Sequence, residues 1–329
     1  MRNRVIGQSL LNYAIPQSRN SMKRVLTAVV LIPLVLLAVF KAPGWLFGGL
    51  IGAVALLAGH EYLGLAAGHG IAPFRKTTLL FIGLYFAGLA SFAGQFSWRW
   101  ISNPDVFAFA LVTRVFPLLL LVIAMAREDL RSSLPAAAYS YLAVPYLAFT
   151  LGMLVTLQNW KLLGAQLLLF FLIIIWVGDT AAYYFGRAFG KHRMAPRISP
   201  GKSWEGAAAS LVASAAVGGL LFHYAAAIHG FLVDIHLLQA ASVFGDVTAP
   251  HAPTLRLAVA FSICLNVAAQ LGDLVESMMK RGAGVKDSGH LLPGHGGMLD
   301  RIDALLLAAP VLWYYAPYLA RGMFSPSAP

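Results

Sequence analysis

Residues 254–279, TLRLAVAFSICLNVAAQLGDLVESMM, are the stretch on which the fold turns. The run is long and apolar enough to cross a bilayer as a helix, which takes about 20 residues. Yet Asn266, Gln270, Asp273 and Ser277 interrupt it, and Lys280 continues the series. At about 100° per residue all five fall within an arc of about 80°. An apolar helix with one polar stripe must turn that stripe toward protein or water. An aspartate at mid-membrane costs about 2.5–3.5 kcal/mol on insertion scales, which makes Asp273 a functional candidate. Asn266 and Gln270 fit hydrogen bonding between helices equally well.

The rest of the chain repeats the apolar theme. It has 329 residues, 59% of them hydrophobic, with a mean hydropathy of +0.73. Backbone polar groups cannot stay unpaired in hydrocarbon, so a bundle of helices is the expected architecture. The pattern predicts an all-α, polytopic membrane helix bundle of about nine transmembrane helices. Their spans are 24–40, 45–67, 77–94, 106–126, 134–157, 165–187, 207–229, 254–279 and 303–321. Pro135 and Pro145 predict a kink or a late start in the fifth. Residues 1–21 form a polar tail, and 22–329 a single integral-membrane domain. Met22 opens a basic-then-apolar segment without a clean cleavage site, so it is expected to be an uncleaved first span and even a candidate start. Cys264 is the single cysteine, which excludes an internal disulfide and a cysteine metal site.

The formal charge is +11, from 24 basic and 13 acidic residues. Without a soluble basic domain, the excess does not point to nucleic acid. Lys and Arg accumulate in cytoplasmic loops. With the N-terminus inside, the nine spans put 18 of the 24 basic residues on the inner side. The expectation is therefore a multi-pass protein of the inner (cytoplasmic) membrane with its N-terminus and active site cytoplasmic. The loop at 230–253, with Asp234, His236, Asp246 and His251, is expected to be a solvated outer connector.

Two polar regions fall on that inner side. The first is Ser277–Asp303, SMMKRGAGVKDSGHLLPGHGGMLDRID. Asp300 and Asp303 share a helix face, where adjacent carboxylates repel unless a cation lies between them. Hard oxygen ligands favour Mg²⁺, which keeps waters and bridges to phosphates. Pro293-Gly294-His295-Gly296-Gly297 precedes this helix. Glycines and a helix N-terminus, flanked by Lys286 and Arg301, predict contact with phosphate. The second region is Asp179–Gly206, DTAAYYFGRAFGKHRMAPRISPGKSWEG. Ser199-Pro200-Gly201-Lys202-Ser203 is not a P-loop, but Lys202 and Ser203 before a new span can bind phosphate by the same physics.

Together these segments resemble the phosphatidate cytidylyltransferases (CDP-diglyceride synthases). Ser277, Met279, Lys280, Arg281, Lys286, Asp287, Gly289, Leu292, Pro293, His295, Gly296, Gly297, Met298, Asp300, Arg301, Ile302 and Asp303 fit that family's signature. Trp176, Asp179, Ala182, Tyr183 and Ser199–Gly206 are similar to its two other elements. The resemblance spans about residues 22–325. It implies that CTP and phosphatidate give CDP-diacylglycerol and pyrophosphate, at a bilayer surface and in a homodimer. Catalytic candidates are then Asp273, Asp300, Asp303, Lys280, Arg281, Lys286, Asp287 and His295. Candidates for binding CTP or phosphatidate are Asp179, Ser199, Lys202, Ser203, Ser277, Gly296, Gly297 and Arg301. Asp273, Asp300 and Asp303 would hold Mg²⁺, and Asp179 a base, a ribose or a second cation. Two other functions stay open: a CTP-dependent polyprenol or phytol kinase, and an ion-coupled transporter using Asp179 and Asp273.

Overall fold

Hydrocarbon leaves the backbone few ways to satisfy its own polar groups, and the chain takes the helical one almost throughout. The structure, a computed structural model, describes residues 17–91, 104–160, 163–238, 255–289 and 296–323. Its helices in order are α1 (Gln17–Lys41), α2 (Gly44–Leu65), α3 (Arg75–Ser91), α4 (Pro104–Ala124), α5 (Leu130–Ala143), α6 (Thr150–Gln158), α7 (Gly164–Phe189), α8 (Trp204–His223), α9 (Ala225–Asp234), α10 (Leu255–Gly282) and α11 (Leu299–Met323). A short 3₁₀ turn, Ala66–His69, extends α2.

Among the described residues six helical stretches are long and apolar enough to cross a membrane: Gly44–His69, Leu130–Gln158, Gly164–Phe189, Trp204–His223, Leu255–Gly282 and Leu299–Leu319. They coincide with six of the nine expected spans. The other three fall on α1, α3 and α4. Of these, α3 has 17 residues, while α1 and α4 have 25 and 21. The expected seventh span, 207–229, divides at Tyr224 into α8 and α9. The polar tail to residue 16, and the outer connector from residue 239 onward, lie outside the described residues.

The fifth span is interrupted at Pro145, whereas Pro135 sits inside α5 and gives no late start. Pro145 has no N–H to offer, and Val144–Phe149 adopts a wider π-helical turn between α5 and α6. Thr150 Oγ1 donates to the Tyr146 carbonyl at 2.6 Å, meeting an acceptor that this irregularity loosens.

The upper half of the polar stripe on α10 knots three helices together. Asn266 Nδ2 donates to Ser210 Oγ at 2.8 Å and Ser214 Oγ at 2.9 Å, both on α8. Gln270 Nε2 donates to Asn266 Oδ1 at 2.6 Å. Ser214 Oγ donates on to the Ile174 carbonyl of α7 at 3.0 Å. Gly178 of α7 lies where a Cβ would run into Asn266 and Ser214. Asn266 and Gln270 are therefore interhelical hydrogen-bonding residues. Below the knot the remaining stripe residues are left for other work.

One feature departs from the all-α expectation. Arg193–Ala195 (β1) and Ser199–Ser203 (β2) pair antiparallel, with Arg193 opposite Ser203 and Ala195 opposite Ser199. This ribbon is the second polar region, and it leads straight into α8.

Asn266→Leu is expected to lower stability in detergent by about 1–2 kcal/mol, since several interhelical hydrogen bonds vanish together. An unchanged thermal midpoint would show that the knot contributes nothing.

Candidate active site

Local chemistry shapes the hairpin before it meets anything else. Its base is closed by Trp204 N donating to the His192 carbonyl at 3.0 Å. Glu205 accepts the His192 N–H at 3.2 Å and lies 2.6 Å from its Nδ1. Ser203 is the N-cap of α8, its hydroxyl accepting from Gly206 N at 3.2 Å. It is only 4% exposed, and Gly186, Gly190 and Gly206 crowd it too closely for any of them to carry a Cβ comfortably. Its hydroxyl is thereby used to start α8. Lys202, one residue earlier on a strand, points the other way, as alternation along a strand requires.

That direction brings the two polar regions together. Lys202 Nζ lies 2.7 Å from Asp273 Oδ2. Ser277 Oγ, one turn further along α10, donates to Asp273 Oδ1 at 3.3 Å. Arg281 Nε donates to the Ile198 carbonyl at 3.3 Å, and its Nη1 to the Val285 carbonyl at 3.2 Å. Arg281 thus fastens the hairpin turn to the end of α10. Ser199 is half-buried in the same ribbon.

Carboxylates from three helices gather around Asp273. Asp303 on α11 lies within electrostatic reach of Asp273, Lys280 and Asp179. Asp179 on α7 feels Asp273 and Lys202. Gly272 permits this convergence, because its bare Cα sits against the backbone carbonyl of Asp303 and the next residue's Cα. Asp179 is exposed, whereas Asp273 and Asp303 are half-buried.

Lys280 and Asp300 form a second, drier group. Lys280 Nζ lies 2.5 Å from Asp300 Oδ1 and pairs also with Glu276 Oε2. The Glu276 side chain is 0% exposed. Asp300 Oδ2 accepts from Ser288 N at 3.0 Å, Ser288 Oγ at 2.8 Å and Gly297 N at 2.7 Å. Both its oxygens are engaged within the protein, Oδ1 by Lys280 and Oδ2 by Ser288 and Gly297. Lys280 likewise has two carboxylate partners in place of an open phosphate site.

At the glycine-rich entry to α11 the backbone amides meet protein carboxylates. Gly296 takes φ +77°, a left-handed turn that glycine adopts without strain. The amides that were expected to cradle phosphate already have anions. Gly297 N is taken by Asp300, while Met298 N and Leu299 N donate to Glu61 at 2.9 and 2.8 Å. A carboxylate at a helix N-terminus serves the same orphan donors that a phosphate would. Lys286, Asp287 and Arg301 are exposed around this loop. His295 lies outside the described residues.

Two residues with central places, Glu61 and Glu276, were not among the site candidates. The available signal was position: Glu61 is the one carboxylate of its apolar span, and Glu276 shares the span of Asp273 and stands four residues before Lys280.

Among the described residues no three His, Cys, Asp or Glu side chains stand close enough to enclose an ion by themselves. Mg²⁺ asks less of a protein, commonly one or two carboxylates completed by water and substrate phosphate. Asp273 with Asp303 fits the protein's part of such a shell in donor chemistry and charge.

Comparison with known proteins gives the same direction. The sequence model of the cytidylyltransferase family matches residues 22–319. The chain is 34% identical over 303 residues to the phosphatidate cytidylyltransferase of Haemophilus influenzae, covering 89% of this chain and 97% of that protein. It is 33% identical over 301 residues to the one from Pseudomonas aeruginosa, covering 88% and 94%. Against the Brucella suis protein of that name it is 38% identical over 186 residues, 56% of this chain and 58% of the relative.

Lys280→Met should destabilise the protein by about 3–5 kcal/mol, because it leaves the Glu276 carboxylate buried without a counter-charge. The double variant Glu276→Gln/Lys280→Met should recover most of that loss. Denaturant unfolding in detergent measures both, and an additive double variant would refute the pairing.

Proposed function

The chain belongs to the cytidylyltransferase family, and from that premise we propose that it transfers the cytidylyl group of CTP to phosphatidate, giving CDP-diacylglycerol and pyrophosphate. Two relatives named for that activity match it over nearly their whole length. In this chain the observation that carries the reading is the Lys202–Asp273 contact. It joins the basic hairpin to the acidic helix faces in one polar site at the end of apolar helices, where a charged lipid headgroup can meet a nucleotide while its acyl chains stay in hydrocarbon.

An oxygen of the lipid phosphate attacks the α-phosphorus of CTP. A new phosphorus–oxygen bond forms, the bond from that phosphorus to the bridging oxygen breaks, and pyrophosphate leaves with its electrons. The nucleophile is already an anion, so the protein need not remove a proton from it. Its work is to bring two polyanions together in line and neutralise them. Lys202 exchanges its carboxylate partner for a phosphate oxygen. Lys286 and Arg301, exposed on the glycine-rich side, neutralise the other phosphates. Arg281 holds the hairpin in place. Lys280 and Asp300 brace the end of α10 against the start of α11. Asp273 and Asp303 would hold Mg²⁺, with Asp179 beside them. When bound, Mg²⁺ supplies positive charge to the triphosphate and to the departing pyrophosphate.

Nine spans and a cytoplasmic site complete the proposal. The excess of basic residues on the side carrying both polar regions supports that orientation, and CTP is a cytoplasmic substrate.

Purified protein given phosphatidate, Mg²⁺ and CTP labelled at the α-phosphate should move the label into lipid. Label left in CDP would indicate a CTP-dependent lipid kinase instead. Ion flux in proteoliposomes with no transfer of label would indicate a transporter. Chelation should abolish the transfer and added Mg²⁺ should restore it. Asp273→Asn should cost more than the about 10–100-fold typical of groups one shell removed from a metal, and should raise the Mg²⁺ concentration needed for half-maximal rate. Asp300→Asn should leave that Mg²⁺ concentration unchanged, and a large rise there would place Asp300 on the metal.

A further inference from the structure

We propose that Glu61 is a positioning residue for this reaction: a carboxylate from α2 that clamps the entry of α11 and thereby sets Asp300 and Asp303. Its two oxygens accept from Met298 N at 2.9 Å and Leu299 N at 2.8 Å, and Ser288 Oγ, which shares its one proton between Asp300 and Glu61, lies 3.1 Å from it. The partners lie 227 to 238 residues away in sequence. Glu61 therefore ties the first long span to both flanks of the glycine-rich loop.

The loop is built to admit that side chain. A Cβ on Gly289 or Gly297 would collide with the Glu61 carboxylate group. Gly297, whose bareness suggested a close approach by phosphate, is thus bare where a glutamate approaches. The clamp also has a firm base. The end of α2 runs into the turn carrying Gly68 and His69. Gly68 sits against the Ala283 backbone, Gly282 against the His69 ring, and His69 Nε2 lies 3.2 Å from the Met279 carbonyl. One end of α2 is held by α10 while Glu61 holds α11, so the two helices carrying Asp273 and Asp303 are referred to a common frame. Glu61 is also the first carboxylate of the chain, with no other before Asp105.

A charged carboxylate binding backbone amides at a helix start satisfies donors that would otherwise attract an anionic ligand. Glu61 therefore acts through the residues it places, without touching CTP or lipid.

The test compares wild-type protein with Glu61→Gln and with the milder Ser288→Ala, which removes one contact of the clamp. Glu61→Gln retains one acceptor but turns an amide NH₂ toward backbone N–H groups. Hydrogen exchange in residues 296–303 should accelerate by at least about tenfold, the equivalent of one charge-assisted hydrogen bond, with other segments unchanged. Displacement of Asp303 should lower kcat by about tenfold to a hundredfold, with the KM for CTP held nearly constant. Ser288→Ala should shift both readouts the same way by less; because Ser288 Oγ also reaches Asp300, Glu61→Asp, which keeps the charge and shortens the reach, carries the test if Glu61→Gln does not fold. Wild-type kcat in Glu61→Gln would overturn the proposal. Exchange rising along the whole chain would overturn it too, since Glu61 would then be merely structural. An unchanged kcat with a lower KM for CTP would make Glu61 a placeholder that the nucleotide displaces, and would also overturn it. The kinetic arm rests on the cytidylyl-transfer reading. Wild-type protein that transfers no label sinks that reading and leaves the exchange arm to decide on Glu61.

Discussion

Ionised side chains at the edge of hydrocarbon are stable only beside one another, and the arrangement of this protein follows from that constraint. Lys202 pairs with Asp273, and Lys280 with Glu276 and Asp300. The first pair joins a surface hairpin to α10, and the second joins α10 to α11. Breaking the second would leave the wholly buried Glu276 without its counter-charge. The same pairs that hold three elements together therefore concentrate lysines and carboxylates at one end of the bundle, as a reaction between two phosphate-bearing substrates requires.

Not every charge in that cluster has the same freedom. Lys280 and Asp300 lie in a dry, fully partnered group, and their positions are fixed by several strong contacts at once. Lys202 and Asp273 are more open and hold a single ion pair, reinforced by Ser277. A substrate phosphate can compete for Lys202 without exposing a buried carboxylate. It cannot do so for Lys280 without stranding Glu276, whose side chain is wholly buried. The division between groups that brace and groups that bind follows from this difference in solvation. Close backbone approach is the other enabling condition. Gly272 brings α10 against α11, and Gly178 lets Asn266 reach α8. Their effect is to let carboxylates from different helices come within electrostatic reach of one another.

The sequence alone determined the class of fold and singled out the polar regions proposed to carry the chemistry. Long apolar runs admit only helices, the asymmetry of basic residues picks out one side, and the stripe on α10 had to face inward, because the cost of burying polar groups in lipid depends on composition and period. It also identified Asp273 and Lys202, whose types and flanks carried their own meaning. Only the tertiary structure decided which polar group answers which. Asn266 and Gln270 could have been ligands or glue, and became glue because Ser210 and Ser214 on α8 stand opposite. Ser203 could have met a phosphate, and instead caps α8. The amides before α11 could have cradled an anion from solution, and received Glu61 from more than two hundred residues away. A hydrogen-bonding group in one dimension offers several partners of equal chemistry. The choice among them is made by packing, which brings distant helices within 3 Å and is not written in local spacing.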